Sequence, residues 1–135
     1  MCISNMNNIF LNKEKNEHAL ESLKEIENLP DNWNDNGTSA FSETIINKCK
    51  EYIMRLEREP FVTPTTTGSI QFKYELNNGD YLEFNVSENE VSVFLFYVGI
   101  GKAKFQMKEN KYNIIDEMNL LIDKFYDNTL ISWYF

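Results

Sequence analysis

The chain predicts an α+β domain with two N-terminal helices, a four-stranded antiparallel meander and a C-terminal helix packed on one face of the sheet. Three observations predict it. Apolar residues recur at helical spacing up to residue 60 and again from about 112. From 70 to 107 the apolar period is two, interrupted by short turns containing Asn or Gly. Hydrophobic residues make up 42% of the chain and aromatics 14%, with 10 Phe and 7 Tyr, which supplies a packed core and favours strands over a pure helix bundle. At 135 residues, 1–135 reads as one domain. It can bury roughly two-thirds of its unfolded surface and needs no metal or disulfide staple.

The first helix is expected over 13–28, where Ala19, Leu23 and Ile26 fall on one face and Pro30 stops the helix. A polar loop follows. Ser42 is the expected N-cap of the second helix, with Glu43 in the first turn favoured by the helix dipole. Ile45, Cys49, Tyr52, Ile53 and Leu56 form its apolar stripe, and Glu59-Pro60 is expected to end it, because a residue before proline avoids helical geometry. Ile70, Phe72, Tyr74 and Leu76 then share one strand face, as do Leu82, Phe84 and Val86 on the next. A two-residue Asn78-Gly79 turn would set Tyr74 opposite Glu83, so the side-chain pattern favours a three-residue loop or bulge that pairs Leu76 with Leu82 and Tyr74 with Phe84. Glu88-Asn89 joins Val86 to Val91, and Gly99-Ile100-Gly101 leads into Ala103, Phe105 and Met107. The last helix, from about Tyr112 to Tyr126, buries Ile114, Met118, Leu121, Ile122 and Phe125.

Charge and cysteine usage exclude several classes. The net charge is −8, and residues 1–37 and 69–100 carry −4 each, from seven acids against three lysines and five acids against one. Direct nucleic-acid binding needs clustered Lys and Arg and is not expected. Cys2 and Cys49 form no C-x-x-C motif, and His18 is the lone histidine, so no zinc site is expected. The first ten residues lack a secretory signal pattern, and no segment reaches transmembrane length. The expected setting is a reducing cytoplasm without membrane contact.

Two motifs stand out: Leu29, Pro30, Trp33, Asn34 and Gly37 before the second helix, then Pro64, Thr65, Gly68, Ile70 and Gln71 at the entry to the sheet. They resemble a widespread group of short bacterial and phage proteins of uncharacterised function. Its members share a Leu-Pro-x-x-Trp-Asp/Asn-x-x-Gly loop and a Pro-Thr-x-x-Gly-x-Val/Ile-Gln strand entry. The likeness covers about residues 25–98. Here Asn34 stands where Asp is common, Ser69 replaces a frequent second glycine, and Lys73-Tyr74 replace an acidic residue and a tryptophan. The resemblance implies one domain in a mobile-element or accessory-gene setting, and no reaction.

No catalytic set accompanies these motifs, and no cofactor is expected. Residues 32–43 mimic a calcium loop, with Asn32, Asn34 and Asn36 at its first three ligand positions, Gly37 at the turn and Glu43 at the end. The three asparagines bring no negative charge and Ser39 occupies an aliphatic position, so no metal is expected. Pro64–Gly68 lacks the lysine and helix of a phosphate loop and reads as a strand lead-in. Cys49 lies on an apolar stripe and reads as an inert core thiol. Glu75 and Glu83 sit on adjacent strands, where polar faces carry such residues routinely.

The third strand is more informative, because Phe94, Phe96 and Val98 oppose Val93, Leu95 and Tyr97, making both faces apolar. Either the terminal Trp133-Tyr134-Phe135 caps the second face, or a Phe94/Phe96 patch marks a dimer or partner interface, rimmed by Glu83, Glu88 and Glu90. Trp33 is a further candidate anchor, or else a packing residue between the helices and the sheet. The functional expectation is a small acidic, non-enzymatic module that docks on a larger protein. In the first place this is an inhibitor of a host defence system, an anti-CRISPR or other anti-defence protein, whose target could be a nucleic-acid-binding effector. An antitoxin or immunity protein, and a small-ligand sponge or sensor beside Trp33, stay open.

Overall fold

The computed structural model describes residues 15–108 and 114–135. Cys2, the first residues of the helix expected over 13–28, and Tyr112 lie outside the described residues. Helix α1 is Glu17–Glu27 and buries Ala19, Leu23 and Ile26, the stripe read from the sequence. Helix α2 is Glu43–Arg55, and Ser42 caps it by accepting a hydrogen bond from the Ile45 amide at 3.3 Å. Ile45, Ile46, Cys49, Tyr52 and Ile53 form its buried face.

Helix α2 stops at Arg55, a turn short of Glu59-Pro60, because asparagine side chains take over its final carbonyls. Asn16, in the left-handed region at φ 61, donates through Nδ2 to the Ile53 and Leu56 carbonyls at 2.7 and 2.8 Å. Asn119 donates to the Arg55 carbonyl at 3.2 Å and accepts from the Glu57 amide at 2.9 Å. Leu56 then leaves the helix in an extended conformation and is fully buried.

Among the described residues the sheet has five strands rather than four, all antiparallel and in chain order: β1 (Phe61–Pro64), β2 (Ile70–Glu75), β3 (Tyr81–Val86), β4 (Val91–Tyr97) and β5 (Gly101–Met107). Strand β1 is the strand missing from the expected meander, and it turns the expected lead-in Pro64–Gly68 into a link between two strands. Pro64 is tolerated because β1 is an edge strand. Pro64-Thr65-Thr66-Thr67-Gly68 is a hairpin turn organised by one hydroxyl. Thr65 Oγ1 accepts from the Ser69 amide at 3.2 Å, donates to the Ser69 carbonyl at 2.9 Å and lies 2.7 Å from Ser69 Oγ. Gly68 supplies the required φ of +85°, which an L side chain rarely adopts.

The β2–β3 register differs from the expected one by two residues: Tyr74 faces Leu82 and Phe72 faces Phe84. The turn chemistry decides it. The Gly79 amide bonds the Leu76 carbonyl at 3.0 Å and the Leu76 amide bonds the Asp80 carbonyl at 2.9 Å, closing a loop of the expected three residues, 77–79, but with Leu76 opposite Asp80. A shift of two leaves every side chain on its expected face. Val86 does pair with Val91, and Ala103, Phe105 and Met107 face Leu95, Val93 and Val91.

Helix α3 (Ile114–Tyr126) and a short helix α4 (Leu130–Tyr134) follow. Helix α3 lies on the inner face of the sheet, where Tyr126 meets Tyr74 edge-on at 6.3 Å and Phe125 meets Tyr97 at 6.1 Å. Ile70, Phe72, Leu82, Phe84, Val86, Val91, Val93 and Leu95 are fully buried in the same core as the helix stripes. Burying each such side chain contributes about 1.5–3 kcal/mol. No helix among the described residues is long and apolar enough to cross a membrane.

Candidate docking face

Alternation along the strands sends a second set of side chains to the outer face, and strand pairing aligns them in rows. One row runs Phe61, Lys73, Glu83, Phe94, Lys104; the next runs Glu75, Tyr81, Phe96, Lys102; a third runs Thr63, Gln71, Asn85, Ser92, Gln106. Aromatic rings occupy the middle of the face. Tyr81 stacks on Phe96 at 5.1 Å and on Phe94 at 5.8 Å, with the Lys73 ammonium 4.6 Å from the tyrosine ring. These rings are half-buried against one another, while Phe61 at the sheet edge is 67% exposed.

The terminal aromatics do not cap this face. Phe135 meets Tyr97 edge-on at 5.7 Å and Tyr134 stacks on Phe105 at 4.9 Å, both on the inner side, at the partly exposed margin of the core beside β5. The Phe94/Phe96 face is therefore left uncovered by the described helices. It is the patch that the second of the two sequence alternatives anticipates.

Its charges are arranged by strand. Lys73 pairs with Glu75 at 3.2 Å, and Gln71 donates to Glu83 at 3.2 Å. Partial burial pushes the Glu83 carboxyl above its ordinary value, with Lys73 pulling the other way. Lys102 and Lys104 stand exposed on β5, on the other side of the rings from Glu83. Glu90 accepts from Gln106 at 2.9 Å and lines, with Glu83, Asn85, Ser92, Phe94 and Lys104, a shallow groove of about 400 Å³.

Of the residues singled out in the sequence, Glu83, Glu90, Phe94 and Phe96 thus come together. Glu88 does not join them. Its carboxylate accepts from the Ser42 hydroxyl and its carbonyl from Lys48 at 3.1 Å, tying the β3–β4 turn to the start of α2. Trp33 also stands apart, half-buried in the interhelical loop with Phe41 as its ring partner at 6.3 Å. Its Nε1 is buried and finds no acceptor among the described residues. The shallow groove beside that loop is lined by Phe41, Ser42, Ile45, Thr66 and Glu88 and leaves Trp33 out.

The carboxamides of the loop face its own backbone. Asn32 Oδ1 accepts from Gly37 at 2.7 Å, Asn34 Oδ1 from Asn36 and Thr38 at 3.1 and 3.3 Å, and Asp31 from Ala40 at 2.8 Å. Among the described residues no group of three or more His, Cys, Asp or Glu is placed to hold a metal ion. Burial pushes the Cys49 thiol up to about 12, which keeps it protonated and unreactive at neutral pH. Glu75 and Glu83 are not opposite one another: Glu75 faces Tyr81 and Glu83 faces Lys73.

Tyr81, Lys102 and Lys104 are members of the face that motif reading passed over. Their parity with Glu83 and with the β4 phenylalanines is the signal that places them there. Compared with family models, with curated proteins and with solved structures, the chain matches none.

Proposed function

We propose that the protein is a non-enzymatic protein-binding module that docks through the outer face of its sheet. One observation carries this reading: Tyr81, Phe94 and Phe96 form an aromatic centre on a sheet face that no described helix covers, bordered by Glu83, Lys102 and Lys104. Aromatic anchors inside a polar rim are the composition of protein interfaces. A face needed only for solubility would carry polar side chains at these positions.

Within that class, the reading as an inhibitor of a host defence system, of the anti-CRISPR or other anti-defence kind, is supported by small size, by the net charge of −8 and by the mobile-element or accessory-gene setting that the two motifs' resemblance to short bacterial and phage proteins implies. An acidic binder is drawn to the Lys/Arg-lined channel of a nucleic-acid-binding effector.

The test is affinity capture from nuclease-treated host lysate with the wild type and with Phe94→Asp, after both are shown to be folded by circular dichroism. The expected result is a stoichiometric partner held by the wild type and lost by the variant. A partner retained equally by folded Phe94→Asp contradicts docking through this face. A nuclease or effector as the captured protein supports the inhibitor reading, whereas a toxin encoded next door moves it to antitoxin.

A further inference from the structure

We infer that the outer face binds a second copy of this chain, through a two-fold axis running along β4. This inference rests on the reading of that face as a docking surface and names its occupant. The reason is self-complementarity. Strand β4 carries Phe94 and Phe96, β3 on one side carries Glu83 and Tyr81, and β5 on the other carries Lys104 and Lys102. Acid and base therefore sit in the same row, one strand to either side of the rings.

Rotation by a half turn about an axis along β4 keeps each row at its own height and exchanges the two sides. Glu83 of each copy then meets Lys104 of the other, Tyr81 meets Lys102, and Asn85 meets Gln106. Phe94 and Phe96 meet their own counterparts on the axis. Across β3, β4 and β5 the rows are matched by an ion pair, a cation over an aromatic ring and two carboxamides, while Phe61, Lys73 and Glu75 on β1 and β2 lie beyond the symmetric part of the contact. A two-fold interface demands this pattern, in which residue i contacts j and j contacts i. The packing is that of two aligned sheets about 10 Å apart, with the phenylalanine rings of the two copies in contact across the gap.

A foreign partner would not require the acid and the base to be symmetric about the aromatic strand.

The test uses charge reversal, read by sedimentation velocity on the full chain. The wild type is expected to be a dimer. Glu83→Lys alone and Lys104→Glu alone each place like charges in both contacts and are expected to weaken self-association roughly tenfold or more. An equimolar mixture of these two variants is expected to dimerise again, because each then carries the sign the other needs. Only intermolecular pairing produces that rescue, and it also proves both variants folded. The double variant Glu83→Lys/Lys104→Glu is expected to dimerise by itself.

A wild type that stays monomeric at every accessible concentration overturns the proposal, as does a mixture that remains monomeric. If the wild type is monomeric while Phe94→Asp still loses a captured foreign protein, the face serves that partner and only the dimer falls. If Phe94→Asp alters neither assay, the docking reading falls with it.

Discussion

Thr65 shows what the residues of the two motifs do. Its single hydroxyl bonds both the amide and the carbonyl of Ser69, and Gly68 beside it adopts φ +85°. In the other motif, Asn32 and Asn34 accept backbone amides around Gly37 at φ +81°. Both motifs are turn chemistry, in which short polar side chains replace missing backbone partners. They position strands and helices. Thr65→Val is accordingly expected to lower stability by about 1–2 kcal/mol, seen as a lower urea midpoint, while partner capture and self-association are unchanged. Residue types were legible in the sequence as turn formers. Their hydrogen-bond partners were not, because Asn32 and Asn36 look equally like calcium ligands until the direction of each carboxamide is known.

At the scale of elements, helix stripes and strand parity were legible and their limits were not. Ala19, Leu23 and Ile26 are buried as their spacing requires, and so are the alternating residues of β2, β3 and β4. Strand β1 escaped notice because it has only four residues and ends in proline, a combination that suits an edge and weakens any strand signal. The hairpin register was misplaced by two residues, since a shift of two alters no side chain's face and only the Gly79 turn distinguishes the alternatives. The end of α2 was set by residues far away in sequence. Asn16 closes it from the start of α1, so Asn16→Ala removes two hydrogen bonds to helix carbonyls. The expected cost is about 1–3 kcal/mol, with faster amide exchange confined to the last turn of α2 and the first turn of α1 as the check.

For the molecule as a whole, the sheet divides two environments. Its inner face is covered by α3 and, at its margin, by Tyr134 and Phe135, whose rings lie on Phe105 and Tyr97. Its outer face holds an aromatic centre between an acidic and a basic strand. The apolar character of both β4 faces was legible from Phe94 and Phe96, but the side taken by the terminal aromatics was not, because the nine residues after Tyr126 can fold to either side of the sheet. The symmetry of Glu83 and Lys104 about Phe94 became visible only with the strand pairing. The most direct measurement is hydroxyl-radical footprinting of the chain when dissociated and when bound, whether to itself or to a captured partner. Binding through the outer face predicts that oxidation of Tyr81, Phe94 and Phe96 falls severalfold, while Met54 on α2 and Trp133 on α4, both about half-exposed, stay as reactive as before. Protection of Met54 and Trp133 with the three outer-face rings unchanged would contradict the account and place the interface on the helical side.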